Sequence, residues 1–137
     1  MTERIVFDTN VWISGFLWRG DAYKCILLAK AGMVQVVYCQ EAVAELSTKL
    51  REKFSFTENQ IQAVVYQIHQ VGEPVTISGK LHVIRHDADD DKFVECAVAG
   101  GASFVVSGDH HILDLGTYND IRMISPHECV TLFSKTP

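Results

Sequence analysis

Arg4-Ile5-Val6-Phe7-Asp8-Thr9-Asn10 is a short apolar run that stops abruptly in three polar residues. Four such residues suffice for a buried strand, and Asp, Thr or Asn directly behind it suits both a strand end and the cap of a following helix. Further along, Ile26, Leu27, Leu28 and Ala29 fall in a helical stretch over 21–31 closed by Gly32, and Val34 to Tyr38 predicts the next strand. Val43, Leu46, Leu50 and Phe54 recur at helical spacing over 41–54, and Thr57 with Glu58 and Gln60 behind it caps a second helix reaching Gly72. Pro74 to Ile77 reads as a short edge strand and Ser78 to His86 as a connection. Asp89 or Asp90 then caps a helix through Ala99, ended by Gly100-Gly101. Ser103 to Ser107 and Ile121 to Ile124 are strands, and Pro126 opens a last helix. Strands and helices alternate, which predicts an α/β fold with a parallel sheet covered by helices on both faces. No linker, repeat or low-complexity stretch divides the chain, so residues 1–137 read as one domain.

Composition agrees. A chain of 137 residues, 47% hydrophobic and 21% charged, has the size and mixture of one domain with one core. Nine Gly, three Pro and interspersed charges exclude collagen-like, coiled-coil and disordered chains. The longest apolar run, Cys25 to Ala29, falls far short of the roughly 20 residues that cross a bilayer. The start shows no basic region followed by a long apolar one, so the expected location is the cytoplasm. Cys25, Cys39, Cys96 and Cys129 form no C-x-x-C pair and sit among apolar neighbours, as buried thiols in a reducing compartment would. The formal charge is −5, and five acids (Asp87, Asp89, Asp90, Asp91, Glu95) stand against Lys92 alone in one short stretch. A protein that held nucleic acid by charge alone would be basic, so an acidic chain that meets phosphates needs its acids neutralised first.

In open parallel sheets the ligand crevice lies beyond the carboxyl ends of the strands, where strand order reverses. That rule selects Asp8-Thr9-Asn10 behind the first strand and Ser107-Gly108-Asp109 behind the fourth; if those strands are neighbours, Asp8 and Asp109 converge. Asp91 lies in a first helical turn at the edge of the stripe Phe93, Val94, Ala97 and Val98, where its carboxylate can point along the sheet's end, and Glu95 shares its face. Two carboxylates about 4 Å apart repel by on the order of 4 kcal/mol at an effective dielectric near 20, so such a cluster is not assembled for stability. A divalent cation makes sense of it: Mg²⁺ takes a few carboxylate oxygens, keeps waters and shares its remaining positions with phosphate. The bland alternatives are specific. Asp8 and Asp109 can simply cap the helices behind them, and Asp91 can be a first-turn acid favoured by the helix dipole. Asp87, Asp89 and Asp90 read as a capped, solvated turn. Adjacent His110 and His111 diverge on a helix, which makes them surface or substrate-rim residues, while His82 and His86 fall in a connection and carry no assignment. Trp12 and Trp18 read as core or dimer-face aromatics.

Taken in order, Ile5-Val6-Phe7-Asp8-Thr9-Asn10, Asp87 through Asp91-Lys92-Phe93-Val94-Glu95-Cys96-Ala97, and Val105-Val106-Ser107-Gly108-Asp109 with Ile112-Leu113 resemble the PIN domain, especially the toxins of type II toxin-antitoxin systems. The resemblance covers almost the whole chain. It implies a Rossmann-like, three-layer α/β/α sandwich with a mostly parallel five-stranded sheet in the order 3-2-1-4-5, and an endoribonuclease site that depends on Mg²⁺ or Mn²⁺. Carried over by position, the acids are Asp8, Glu45, Asp91 and Asp109, with Asn10 and Ser107 as polar support; Thr is usual where Ser107 stands. In that reading Asp8, Asp91 and Asp109 hold the metal, and Glu45 is a further ligand or the base toward the attacking water. RNA is cut to leave a 5′-phosphate and a 3′-hydroxyl. A homodimer and an antitoxin that blocks the pocket, with an Arg paired to the carboxylates, are also implied. Periodicity alone does not select Glu45: Glu41 competes, and a Glu45–Lys49 surface pair is the plain alternative. Arg4, Arg19, Lys49, Arg51 and Lys53 are candidates to touch flanking phosphates or merely to solubilise the surface.

Two other functions compete. A haloacid-dehalogenase-type phosphatase also places an Asp behind its first strand and could use Gly108-Asp109 with Asp114, but it needs an acid two residues after the first, and Asn10 stands there. A PIN-like module that binds RNA or protein without turnover differs from the nuclease only in lacking metal-dependent cleavage.

Overall fold

The computed structural model describes residues 2–84 and 88–134. The readings of His86 and Asp87 lie outside the described residues. Strand β1 (Arg4–Phe7) leads into helix α1 (Thr9–Leu17), then α2 (Asp21–Lys30), β2 (Gln35–Tyr38), α3 (Gln40–Phe54), α4 (Glu58–Val71) and β3 (Gly72–Pro74). A 3₁₀ turn (Ala88–Asp90) opens α5 (Asp91–Gly100), followed by β4 (Phe104–Val106), the short α6 (His110–Leu113), β5 (Thr117–Tyr118), β6 (Ile121–Ile124) and α7 (Pro126–Phe133). The sheet order is β3-β2-β1-β4-β6-β5, with every pairing parallel except β5 against β6.

This is the expected sandwich with two corrections, the first being that the sheet has six strands rather than five. The added strand is the first arm of a hairpin whose two-residue turn, Asn119-Asp120, has φ of 48° and 66°. Both central residues of a type I′ turn require positive φ, and Asn and Asp tolerate it better than most. A second difference is at the opposite edge, where β3 begins at Gly72, not at Pro74. A Cβ on Gly72 would stand 2.6 Å from Tyr38 Cδ1, so glycine lets the chain leave α4 and pair with β2 at once.

Alternation along the strands builds the two faces. Ile5, Phe7, Val36, Tyr38, Val106 and Ile124 pack under the α1–α4 and α7 side, whereas Val6, Val37, Val105 and Met123 pack under α5 and α6. Helix α5 lies close on the sheet because Gly100 meets it without a side chain: a Cβ there would be 2.8 Å from Val37 Cγ2. The Cys25 thiol donates to the Pro126 carbonyl at 3.5 Å, linking α2 to the start of α7, and all four cysteines are free thiols and buried, as expected. Trp12 is in the core, while Trp18 is exposed, edge-on to Phe54. No helix among the described residues is long and apolar enough to cross a membrane.

Candidate functional site

The strands β1 and β4 are parallel neighbours, with Phe7 opposite Val106, so the residues that follow them emerge side by side at the sheet's carboxyl end. Asp8 is 3% exposed. One of its oxygens, Oδ1, accepts from the Val11 N–H at 2.8 Å and caps α1; the other, Oδ2, accepts from the Ser107 hydroxyl. Ser107 is fully buried, and its Oγ in turn accepts from the Asp109 N–H at 2.9 Å. One hydroxyl therefore ties the two strand ends together. Asp109 caps α6 through the His111 N–H at 2.9 Å. Both acids do cap helices, but capping occupies only one oxygen of Asp8, and the charge of Asp109 acts on its carboxyl.

The electrostatics follow from burial. Desolvation pushes the Asp8 carboxyl above the usual range, the charge of Asp109 adds to the rise, and the Ser107 hydroxyl, the Val11 N–H and Lys49 oppose it. Asp109 is held below its usual range, mainly by the His111 N–H, with further help from a hydrogen bond with the Asp90 side chain and from His111 and His110. His110 and His111 flank Asp109 with Nδ1 atoms at 3.9 and 3.7 Å, which places both at the rim, as expected. Asn10 is exposed in the first turn of α1, and the cap of that helix is Asp8.

The influence of Asp90 on the Asp109 carboxyl is not expected from the sequence. A hydrogen bond between two carboxyl groups needs a proton between them, and a cation is the other species that makes such an approach favourable. Asp91, by contrast, is turned away from this site: its Oδ1 accepts from the Val83 and Ile84 N–H groups at 2.9 and 2.8 Å, and His82 Nδ1 stands 3.6 Å from Oδ2. The expectation that Asp91 points toward Asp8 and Asp109 is corrected accordingly. A helical-phase signal for this was present. Asp90 precedes the buried Phe93, Val94 and Ala97 by three, four and seven residues, so it continues the sheet-facing stripe. Asp91 instead shares its face with Glu95, which accepts from the N–H groups of Ser78, Gly79 and Leu81. Together Asp91 and Glu95 pin residues 78–84 along the outer flank of α5.

Glu45 reaches the cluster from α3. Its Oε2 accepts from the Thr9 hydroxyl at 3.0 Å and pairs with Lys92 Nζ at 2.7 Å, while Lys49 stands 3.3 Å from Oε1. Burial works to raise this carboxyl, but Lys92, Lys49 and the Thr9 hydroxyl together hold it below the ordinary range. Glu41 is exposed one turn earlier and lines a separate groove with Asp89, Asp91 and Glu95. Of the basic residues considered for phosphate contact, Arg4 is at the wrong end of the sheet, bonded to Glu73 and, at 2.7 Å, to the Gly100 carbonyl. Arg51 is paired to Glu58 at 2.6 Å.

Among the described residues no three His, Cys, Asp or Glu side chains are grouped so that they could hold a metal ion between them. The donors at hand are carboxylate and hydroxyl oxygens, which suit a hard cation. Mg²⁺ is held by one or two carboxylates and several waters rather than by an all-protein cage, so the donor set fits an open site of that kind.

Comparison with known proteins follows the same outline. The model of the PIN domain matches residues 4–111. A chain in the crystal structure of VapBC2 from Rickettsia felis bound to a DNA fragment from their promoter superposes with a TM-score of 0.62 at 17% identity, over 89% of this chain and 98% of that one. No curated protein sequence matches significantly.

Proposed function

The chain belongs to the PIN-domain family, whose members are generally nucleases, and on that premise we propose that it is an endoribonuclease dependent on Mg²⁺ or Mn²⁺. The observation that carries the reading is the meeting of Asp8 and Asp109 at the carboxyl ends of two adjacent parallel strands, bridged by the Ser107 hydroxyl. Asp8, Asp90 and Asp109 would hold the cation, with Glu45 beside them. A bound divalent ion supplies positive charge for the scissile phosphate and acidifies a water at neutral pH. The protein's own groups do the positioning. Ser107 fixes the Asp8 carboxylate, the His111 N–H fixes Asp109, and Glu45 serves as a further ligand or as the base toward the attacking water. Asn10, exposed at the crevice, contacts the substrate's polar groups. A narrow acidic cleft accepts single-stranded RNA, whose bases can be splayed, more readily than a stacked duplex.

The biological role proposed is that of the toxin in a toxin-antitoxin pair, acting in the cytoplasm as a homodimer and silenced by a small antitoxin. The likeness in fold to a chain of a VapBC2 complex supports that choice among PIN proteins. The test is cleavage of tRNA, rRNA and mRNA by the purified chain with Mg²⁺, with Mn²⁺ and with a chelator. Cleavage that needs the metal and falls at least a hundredfold in Asp8→Asn, with the fold retained by circular dichroism, is the expected outcome. Equal cleavage by Asp8→Asn overturns the assignment, and binding of RNA without turnover identifies a recruiting module instead.

A further inference from the structure

Lys92 is the second residue of α5, where the helix's partial positive charge disfavours an ammonium. A lysine at such a place usually extends into water. This one folds inward, and its side chain is only 17% exposed. Its Nζ pairs with Glu45 Oε2 at 2.7 Å, donates to the Asp89 carbonyl at 2.5 Å and lies 5.1 Å from the centre of the Phe93 ring. Glu45 already has an ordinary partner on its own helix in Lys49, four residues on. Lys92 therefore brings a second ammonium from another element to one carboxylate, which also accepts from the hydroxyl of Thr9, the residue after Asp8.

We propose that Lys92 is a resident cation of this site, holding the Glu45 carboxylate while no divalent ion is bound and weakening the grip of the site on such an ion. This rests on the carboxylate-site reading above. The ammonium satisfies Glu45 with one charge where a divalent ion offers two, and its strongest contacts are to internal acceptors, unlike those of a lysine set out to catch a phosphate. Once an ion binds, the fixed ammonium repels it, and Glu45 can join the ion only by giving up Lys92. Across several ångströms in a water-like medium, repulsion between a single and a double charge amounts to on the order of tenfold in affinity.

The experiment is a Mn²⁺ titration of the full chain by calorimetry, checked by the paramagnetic signal of free Mn²⁺, without RNA. Lys92→Met keeps the stem and removes the charge, and should bind Mn²⁺ roughly tenfold more tightly than the unmutated chain. Lys92→Arg should bind like the unmutated chain. In a Glu45→Gln background Lys92→Met should still tighten Mn²⁺ binding, because the direct repulsion is removed there too, and any gain beyond that in the unmutated background measures the freed Glu45 carboxylate. Lys92→Gln carries the same test should Lys92→Met not fold. Unchanged or weaker Mn²⁺ binding by the charge-removing variants overturns the proposal. Asp109→Asn separates the two levels. If it weakens Mn²⁺ binding while Lys92→Met has no effect, only the role of Lys92 fails; if neither substitution matters, the carboxylate site fails with it.

Discussion

Ser107 has the most exacting position at the scale of single residues, because one buried hydroxyl serves Asp8 as donor and the Asp109 N–H as acceptor. Ser107→Ala leaves that N–H without its acceptor and Asp8 without its donor, a buried loss of roughly 1–3 kcal/mol by urea denaturation. Cleavage should fall with it, since both acids lose their common anchor, and Ser107→Thr, which keeps the hydroxyl, should restore activity that Ala does not. Much at this scale was legible in the sequence. Asp8, Ser107 and Asp109 follow from the rule that crevices form behind adjacent parallel strands. Asp90 did not, because four acids stand together in Asp87-Ala88-Asp89-Asp90-Asp91 and hydrophobicity does not distinguish them. What separates Asp90 from Asp91 is a rotation of about 100° per residue about the helix axis. One carboxylate meets Asp109 and its neighbour ties down a loop.

At the scale of elements, α5 does two jobs on two faces. Its inner face seats Phe93, Val94 and Ala97 on the sheet, and its outer face holds the preceding segment with two carboxylates at i and i+4. Glu95 accepts from three backbone N–H groups and the Ser78 hydroxyl, and although burial works to raise its carboxyl, those donors keep it below the ordinary range. Hydrogen bonds to a charged acceptor are worth roughly 1.5–3 kcal/mol. In Glu95→Gln the amides of Gly79 and Leu81 should exchange with deuterium roughly tenfold faster or more, while those of β1 and β4 do not change. Equal exchange at 79 and 81 would show that the carboxylate does not hold the segment. The elements themselves were largely foreseen, because strands and helices change hydrophobic period sharply along this chain. The misses were short ones. A two-residue β5 and a three-residue β3 are too brief to show any period, and they are set by the Asn119-Asp120 turn and by the fit of Gly72 against Tyr38.

At the scale of the whole molecule the question is why an acidic chain of net charge −5 concentrates acids at one end of its sheet. Without a cation the arrangement works against the fold. Asp8 has its carboxyl raised, so the folded state binds its proton more tightly than the unfolded chain does. The sign follows from linkage: this favourable contribution is complete below the ordinary carboxylate range and is lost as pH rises through the raised value. Asp8→Asn keeps a cap for α1 and a partner for Ser107 but removes the charge. Relative to the unmutated chain in a chelator, it should gain stability as pH rises from 4 to 8, measured by urea denaturation at each pH. A divalent ion reverses the balance, since it binds the folded state alone and stabilises it by mass action. Mg²⁺ should therefore raise the melting temperature of the unmutated protein by several degrees and that of Asp8→Asn by clearly less. Equal shifts in the two proteins would mean that Mg²⁺ acts on the surface generally, and the grouped acids would then need another explanation than the cation they are proposed to hold.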